Sequence, residues 1–207
     1  MRAIAGLVAL GLGAAIGAIV PGGPAQAQNM GSRAAEAAPF TLERRATLEL
    51  PWAIAPLPGG DLLITGKTGR MWRVAGETLR DIENVPEVQF SGQNGLLDVA
   101  ISPDFDKSGL IYFTYVSPGD ALVLARARLS GDRLEARETL WQQTPGGRGQ
   151  PGGIIAFGPD GMLYLSVGDR MQPATAQDPD NPRGKVLRLT PEGAPAPGNP
   201  FADSAFA

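Results

Sequence analysis

The chain has 207 residues, 43% of them hydrophobic, with 18 basic and 21 acidic side chains and neither histidine nor cysteine. A net charge of -3 without a basic stripe argues against a nucleic-acid partner. The lack of cysteine excludes disulfides and thiolate metal centres. With Gly 28 and Pro 19 but no fixed glycine period, the composition points to a turn-rich all-β protein.

In chain order, the first segment reads as an export signal. Arg2 supplies a positive start, Ala3 to Val20 form an uncharged apolar run, and Pro21-Gly22-Gly23-Pro24 breaks it. Ala25-Gln26-Ala27 offers a small-x-small cleavage site, so residues 1–27 are expected to be removed after Ala27. The expected location is periplasmic or secreted, with no stable membrane span after processing. A retained N-terminal anchor is the alternative. Residues 28–39 are small and polar and read as a flexible leader. Residues 40–207 read as one β domain.

Strand-like runs are predicted at Thr47–Leu50, Trp52–Leu57, Asp61–Thr65, Arg70–Ala75, Gly95–Ser102 and Leu110–Val116. More follow at Leu122–Leu129, Ile154–Phe157, Met162–Val167 and Lys185–Leu189. Arg126 to Leu140 is charged enough for a helix, but Ser130-Gly131-Asp132 reads better as a hairpin turn. Asp61, Asp104 and Asp160 each stand in a turn just before an apolar strand. Their separations are 43 and 56 residues, against the ~40–50 of a four-stranded propeller blade, so the spacing is blade-like with an insertion. An ordinary β-sandwich of hairpins stays open on this pattern. About three blades fit between Phe40 and Leu189, so the chain reads as the front half of a larger protein.

Three motifs suggest other chemistry. Gly147 to Gly152 match a dinucleotide fingerprint, but a strand follows where that site needs a helix. Gly66-Lys67-Thr68 resembles the end of a phosphate loop, but Asp61 stands where its first glycine belongs. Asp178-Pro179-Asp180-Asn181 offers oxygens for calcium, though such clusters are more often plain turns.

The order and spacing of several pieces carry a resemblance. These are Gly92-Gln93-Asn94-Gly95-Leu96-Leu97-Asp98, Pro103-Asp104-Phe105, Gly152-Gly153, Pro159-Asp160-Gly161 and Gly168-Asp169. Ala176-Gln177-Asp178, Gly184 to Arg188 and Asn199-Pro200-Phe201 complete the set. Together they resemble the soluble glucose/sorbosone (aldose sugar) dehydrogenases that use pyrroloquinoline quinone (PQQ). The resemblance implies an open part of a six-bladed β-propeller, PQQ as cofactor and an aldose as substrate. It implies Gln93 near quinone and sugar, Asp169 as a site carboxylate and Gln177 as a further cofactor-pocket residue. Calcium is possible, with its ligands in a C-terminal part that this chain lacks.

The family's usual catalytic histidine falls at Gln150. An amide hydrogen-bonds but offers no usable base near neutral pH. Asp169 and Gln150 are therefore the catalytic candidates, and no protein metal ligand is assigned. The electron acceptor and the sugar are not legible. The isolated chain is expected to be inactive. The alternative is a non-catalytic propeller that binds a carbohydrate or protein partner. A lactonase-type hydrolase would need a metal cluster of acids and histidines, so for a histidine-free chain it is the weakest of the three readings.

Overall fold

The computed structural model describes residue 41 and residues 43–200. The expected signal segment and leader lie outside them. The chain divides into two units at Glu43/Arg44, and the second unit carries every described element.

Three antiparallel sheets follow one another along the chain. The first contains β1 (Pro51–Pro56), β2 (Leu62–Gly66), β3 (Arg70–Ala75) and β4 (Thr78–Asp81) in spatial order. The second contains β5 (Leu96–Ile101), β6 (Leu110–Val116), β7 (Leu122–Ser130) and β8 (Arg133–Gln142). The third contains β9 (Gly152–Phe157), β10 (Leu163–Val167) and β11 (Lys185–Leu189). A single helical turn, α1 (Phe105–Ser108), links β5 to β6. A 3₁₀ turn, Pro173–Gln177, lies between β10 and β11. Sequential meanders of this kind are propeller blades, not the crossing connections of a sandwich.

The period of two that marks the strands in sequence also builds the core. On the middle sheet, Val99, Ile111, Phe113, Val123 and Ala125 point toward the first sheet, where they meet Ala55, Leu63 and Met71. Their alternates Leu97, Tyr112, Leu122 and Leu124 point toward the third sheet, against Ile155, Leu163, Leu165 and Leu187. The alternation predicts a core of Leu63, Leu97, Val99, Ile111, Phe113, Ile155, Phe157, Leu163, Leu165 and Leu187; all are buried except Phe157, which is half-buried and meets Tyr112 edge-on at 5.0 Å.

The three turn acids occupy equivalent places, each between the first and second strand of its blade. Asp61 pairs with Arg73 on the third strand of blade one, with Nε to Oδ2 at 2.7 Å. Asp160 pairs with Arg188 on the third strand of blade three, also at 2.7 Å. In blade two, Asp104 instead accepts from the Ser102 and Ser108 hydroxyls, and third-strand Arg128 reaches the Ser108 carbonyl.

One predicted strand is corrected. Thr47–Leu50 is exposed except for half-buried Leu48 and forms no strand. Leu50 has φ 43, which bends the chain out of the ladder just before Pro51. Two strands were not predicted, β4 and the long β8. Both are outer strands whose side chains are mostly exposed.

Asp98 on β5 reaches across to the third blade, where its Oδ2 accepts the Ile155 N–H at 2.7 Å. Burial pushes its carboxyl above the usual range, while the Ile155 and Val99 N–H groups act the other way. A raised folded-state value means the fold holds this proton more tightly than the unfolded chain does. The resulting stabilisation is complete below the ordinary Asp range and is lost as pH rises through the raised value. Asp98→Asn keeps an acceptor for Ile155 and should flatten that part of the curve. Urea midpoints measured from pH 3 to 7 for both proteins check this, and an unchanged pH profile would contradict it.

Candidate active site

Turns in an antiparallel meander alternate between the two ends of the sheet. The acid turns therefore share one end, and the loops with the expected site residues share the other. At this second end the loops from all three blades interlock. The Lys67 carbonyl, between β2 and β3, accepts from Leu96 N–H at 3.1 Å, and Lys67 Nζ donates to Gly92 O at 2.7 Å. The close approach requires Gly95, whose φ is +147 and where a Cβ would stand 2.2 Å from Lys67 O.

Gln93 lies on this loop and Gln150 on the loop between β8 and β9. The Gln150 N–H donates to Gln93 Oε1 at 2.5 Å. Two positions 57 apart in sequence are thus joined directly. Both line a cleft of about 740 Å³ that also holds Ser91, Asp120, Arg148 and Met171. With Oε1 engaged, the Gln93 amide keeps its NH₂ to donate to a ligand.

Asp169 and Gln177 lie differently. Asp169 is half-buried beside the cleft, one residue past Gly168, which packs on the Gln150 carbonyl. Its Oδ1 accepts the N–H of Met171, a cleft residue, at 3.0 Å. Gln177 ends the 3₁₀ turn, is exposed and does not line the cleft. Asp178 and Asn181 spend side-chain oxygens on the N–H groups of Asp180 and Arg183 within their own turn. Gly66-Lys67-Thr68 is the β2–β3 hairpin turn, and a strand follows Gly147 to Gly152.

Sequence reasoning missed the residue that organises the cleft floor. Arg170 is 1% exposed. Its guanidinium donates to Asn94 Oδ1 at 3.4 Å, to Asp120 O at 2.6 Å and to Gly147 O. One side chain thereby ties together the loops β4–β5, β6–β7 and β8–β9. Asn94 in turn donates to Asp120 Oδ1 at 3.3 Å. Burial lowers the Arg170 pKa, Asp120 opposes that shift and neighbouring Arg183 reinforces it. Arg183 is also buried and holds the adjacent Gly146 carbonyl at 2.9 Å. Gln150, Arg170 and Met171 all have positive φ (36, 56 and 62). Strain held by surrounding bonds in this way is concentrated at functional sites.

A family model described as Glucose / Sorbosone dehydrogenase matches residues 48–207. The aldose sugar dehydrogenase YliI of Escherichia coli (strain K12) is 36% identical over 165 residues, covering 74% of this chain and 44% of the relative. The PQQ-bound aldose sugar dehydrogenase from Streptomyces coelicolor superposes with TM-score 0.74 at 40% identity, covering 80% of this chain and 52% of that one. The apo soluble aldose sugar dehydrogenase from Escherichia coli gives TM-score 0.72 at 35% identity, over 77% and 50%. This chain thus spans about half the length of the relatives it matches. Among the described residues no helix is long and apolar enough to cross a membrane. The three consecutive blades, the residues joined at one end of them and the match over 48–207 agree: the chain belongs to the glucose/sorbosone dehydrogenase family.

Proposed function

We propose that this chain carries part of the site of a PQQ-dependent aldose dehydrogenase. The observation behind this reading is the Gln93–Gln150 contact, which brings two resemblance-assigned positions from different blades onto one cleft. The cleft's donors suit a planar, polyanionic quinone: the Gln93 amide, the Ser91 hydroxyl and the Arg148 guanidinium. These three residues would hold its oxygens. When bound, the quinone supplies the acceptor for the two electrons removed from the hydroxyl-bearing sugar carbon.

The chain's own residues bind and orient. Gln93 donates to quinone or sugar through its free NH₂. Gln150 occupies the place of the family's base and hydrogen-bonds a sugar hydroxyl without taking its proton. Asp169, with Oδ1 on Met171 N–H, has Oδ2 left to accept that proton. Loss of a positioned base typically costs ~10²–10⁴ in rate, so slow turnover is expected.

Titration with PQQ of a protein that carries the complete ring, followed by dye-linked oxidation of a panel of aldoses, tests the reading. Saturable quinone uptake with aldose-dependent dye reduction is the expected result. Sugar binding without quinone uptake would instead establish the non-catalytic binding propeller. The same proposal places the protein outside the cytoplasm, with the mature chain starting at Gln28. N-terminal sequencing of exported material checks this, and an intact Met1 would refute it.

A further inference from the structure

Asp120 reaches the cleft from the turn between β6 and β7, and its backbone is tied down there. Its φ of 59 lies in the left-handed region, which aspartate tolerates better than most residues. Its N–H donates to Ser117 O at 2.9 Å. Its carbonyl accepts from Gly147 N–H at 2.9 Å and from the Arg170 guanidinium at 2.6 Å. Gly146 comes so near that a Cβ there would stand 2.7 Å from the same carbonyl. The turn therefore cannot shift without disturbing the loop that carries Gln150.

The side chain is oriented just as firmly. Asn94 is 2% exposed, and its Oδ1 accepts from Arg170 while its Nδ2 donates to Asp120 Oδ1. Turned over, the amide would set donor against donor and acceptor against acceptor. Asp120 Oδ1 is thus committed to Asn94, and Oδ2 has no partner among the described residues.

One residue gathers this carboxylate with the two catalytic candidates. The Arg170 side chain holds Asp120, its N–H meets the Gln150 carbonyl at 3.4 Å, and Asp169 directly precedes it in the chain. A carboxylate only accepts hydrogen bonds, and like charge repels it. A polyanionic quinone is therefore a poor neighbour for Asp120 Oδ2. The hydroxyl groups of a sugar supply the donors that it lacks.

On the aldose reading of the cleft, from which this inference starts, we propose that Asp120 is a sugar-binding, specificity-determining residue. Its Oδ2 accepts from a second sugar hydroxyl, apart from the one that meets Gln150 and Asp169. The cleft is then divided by charge: the donors Gln93, Ser91 and Arg148 face the quinone, and the carboxylates face the sugar.

Asp120→Asn tests this in a protein that carries the complete ring. The substitution keeps an oxygen for Asn94 and replaces Oδ2 by a donor, so the melting temperature should be preserved. Calorimetric titration of the quinone-free protein should show aldose affinity weakened roughly ten- to hundredfold, the loss expected for one hydrogen bond to a charged group. PQQ affinity should be unchanged or stronger, because a negative charge has left the cleft. In turnover the aldose KM should rise with little change in kcat. A series of monodeoxy aldoses locates the contact: one analogue should bind the parent as weakly as the full sugar binds the variant, and should bind both proteins alike. Equal aldose affinity in parent and variant would overturn the proposal and leave quinone-dependent turnover, with the dehydrogenase reading, standing. A variant that weakened every monodeoxy analogue alike would overturn it too, because no single hydroxyl would then face Asp120. The expected sugar effect without any quinone uptake would sink the dehydrogenase reading instead and keep Asp120 as a sugar ligand.

Discussion

In a protein that carries the complete ring, Gln150→His is expected to raise PQQ-dependent aldose oxidation by up to ~10²-fold, the lower part of the range for a positioned general base. The backbone at 150 is already anchored, with its N–H on Gln93 Oε1 and its carbonyl receiving the Arg170 N–H at 3.4 Å. The substitution changes only what the side chain does. Imidazole accepts a proton near neutral pH and an amide does not. The gain should appear in kcat, fall away as pH drops below the imidazole range, and leave quinone affinity unchanged. If the histidine variant gains nothing while still binding quinone, Asp169 alone is already as effective as an imidazole at 150, or the chemistry differs.

Gly168→Ala is the second large effect expected. A Cβ at this position would stand 1.8 Å from Gln150 O, and close to Gly152 N as well. Both are backbone atoms, so no rotamer change relieves the clash. The end of β10 and the loop carrying Gln150 would have to part, at a cost at or above the top of the ~1–3 kcal/mol typical of overpacking. The Gln93–Gln150 bond would be lost with them, weakening quinone binding by on the order of tenfold. Thermal unfolding and quinone titration of the one variant measure both effects. An alanine variant as stable as the parent would mean that the two loops do not approach this closely.

How legible this was depended on burial. β3, β6 and β11 have the bounds expected from sequence because their apolar alternation runs between glycine turns. β4 and β8 lack that signal, since outer strands such as TLRD and RLEARETLWQ bury too little to need it. Gln93 and Gln150 were found through family resemblance, which carries information that spacing alone does not. Arg170 was invisible because a buried arginine looks in sequence like any surface arginine. Only the Asp120 and Gly147 carbonyls and the Asn94 side-chain amide, on three distant loops, reveal its role. Asp120 likewise reads as a turn residue in Ser117-Pro118-Gly119-Asp120 until Asn94 is seen against it.

The separation of the two loop ends bears on how the protein can be attached to other things. Everything that holds the cleft is at one end, while the Gly131-Asp132 hairpin and the Asp61 and Asp160 turns stand at the other. A surface tether, a fused carrier or an electrode linkage placed on the acid-turn end leaves the mouth of the cleft open. The same linkage at Gly147–Gln150 would block it. Orientation on a solid support can thus be chosen from the parity of the turn alone: turns after first and third strands for anchoring, turns after second and fourth strands left free.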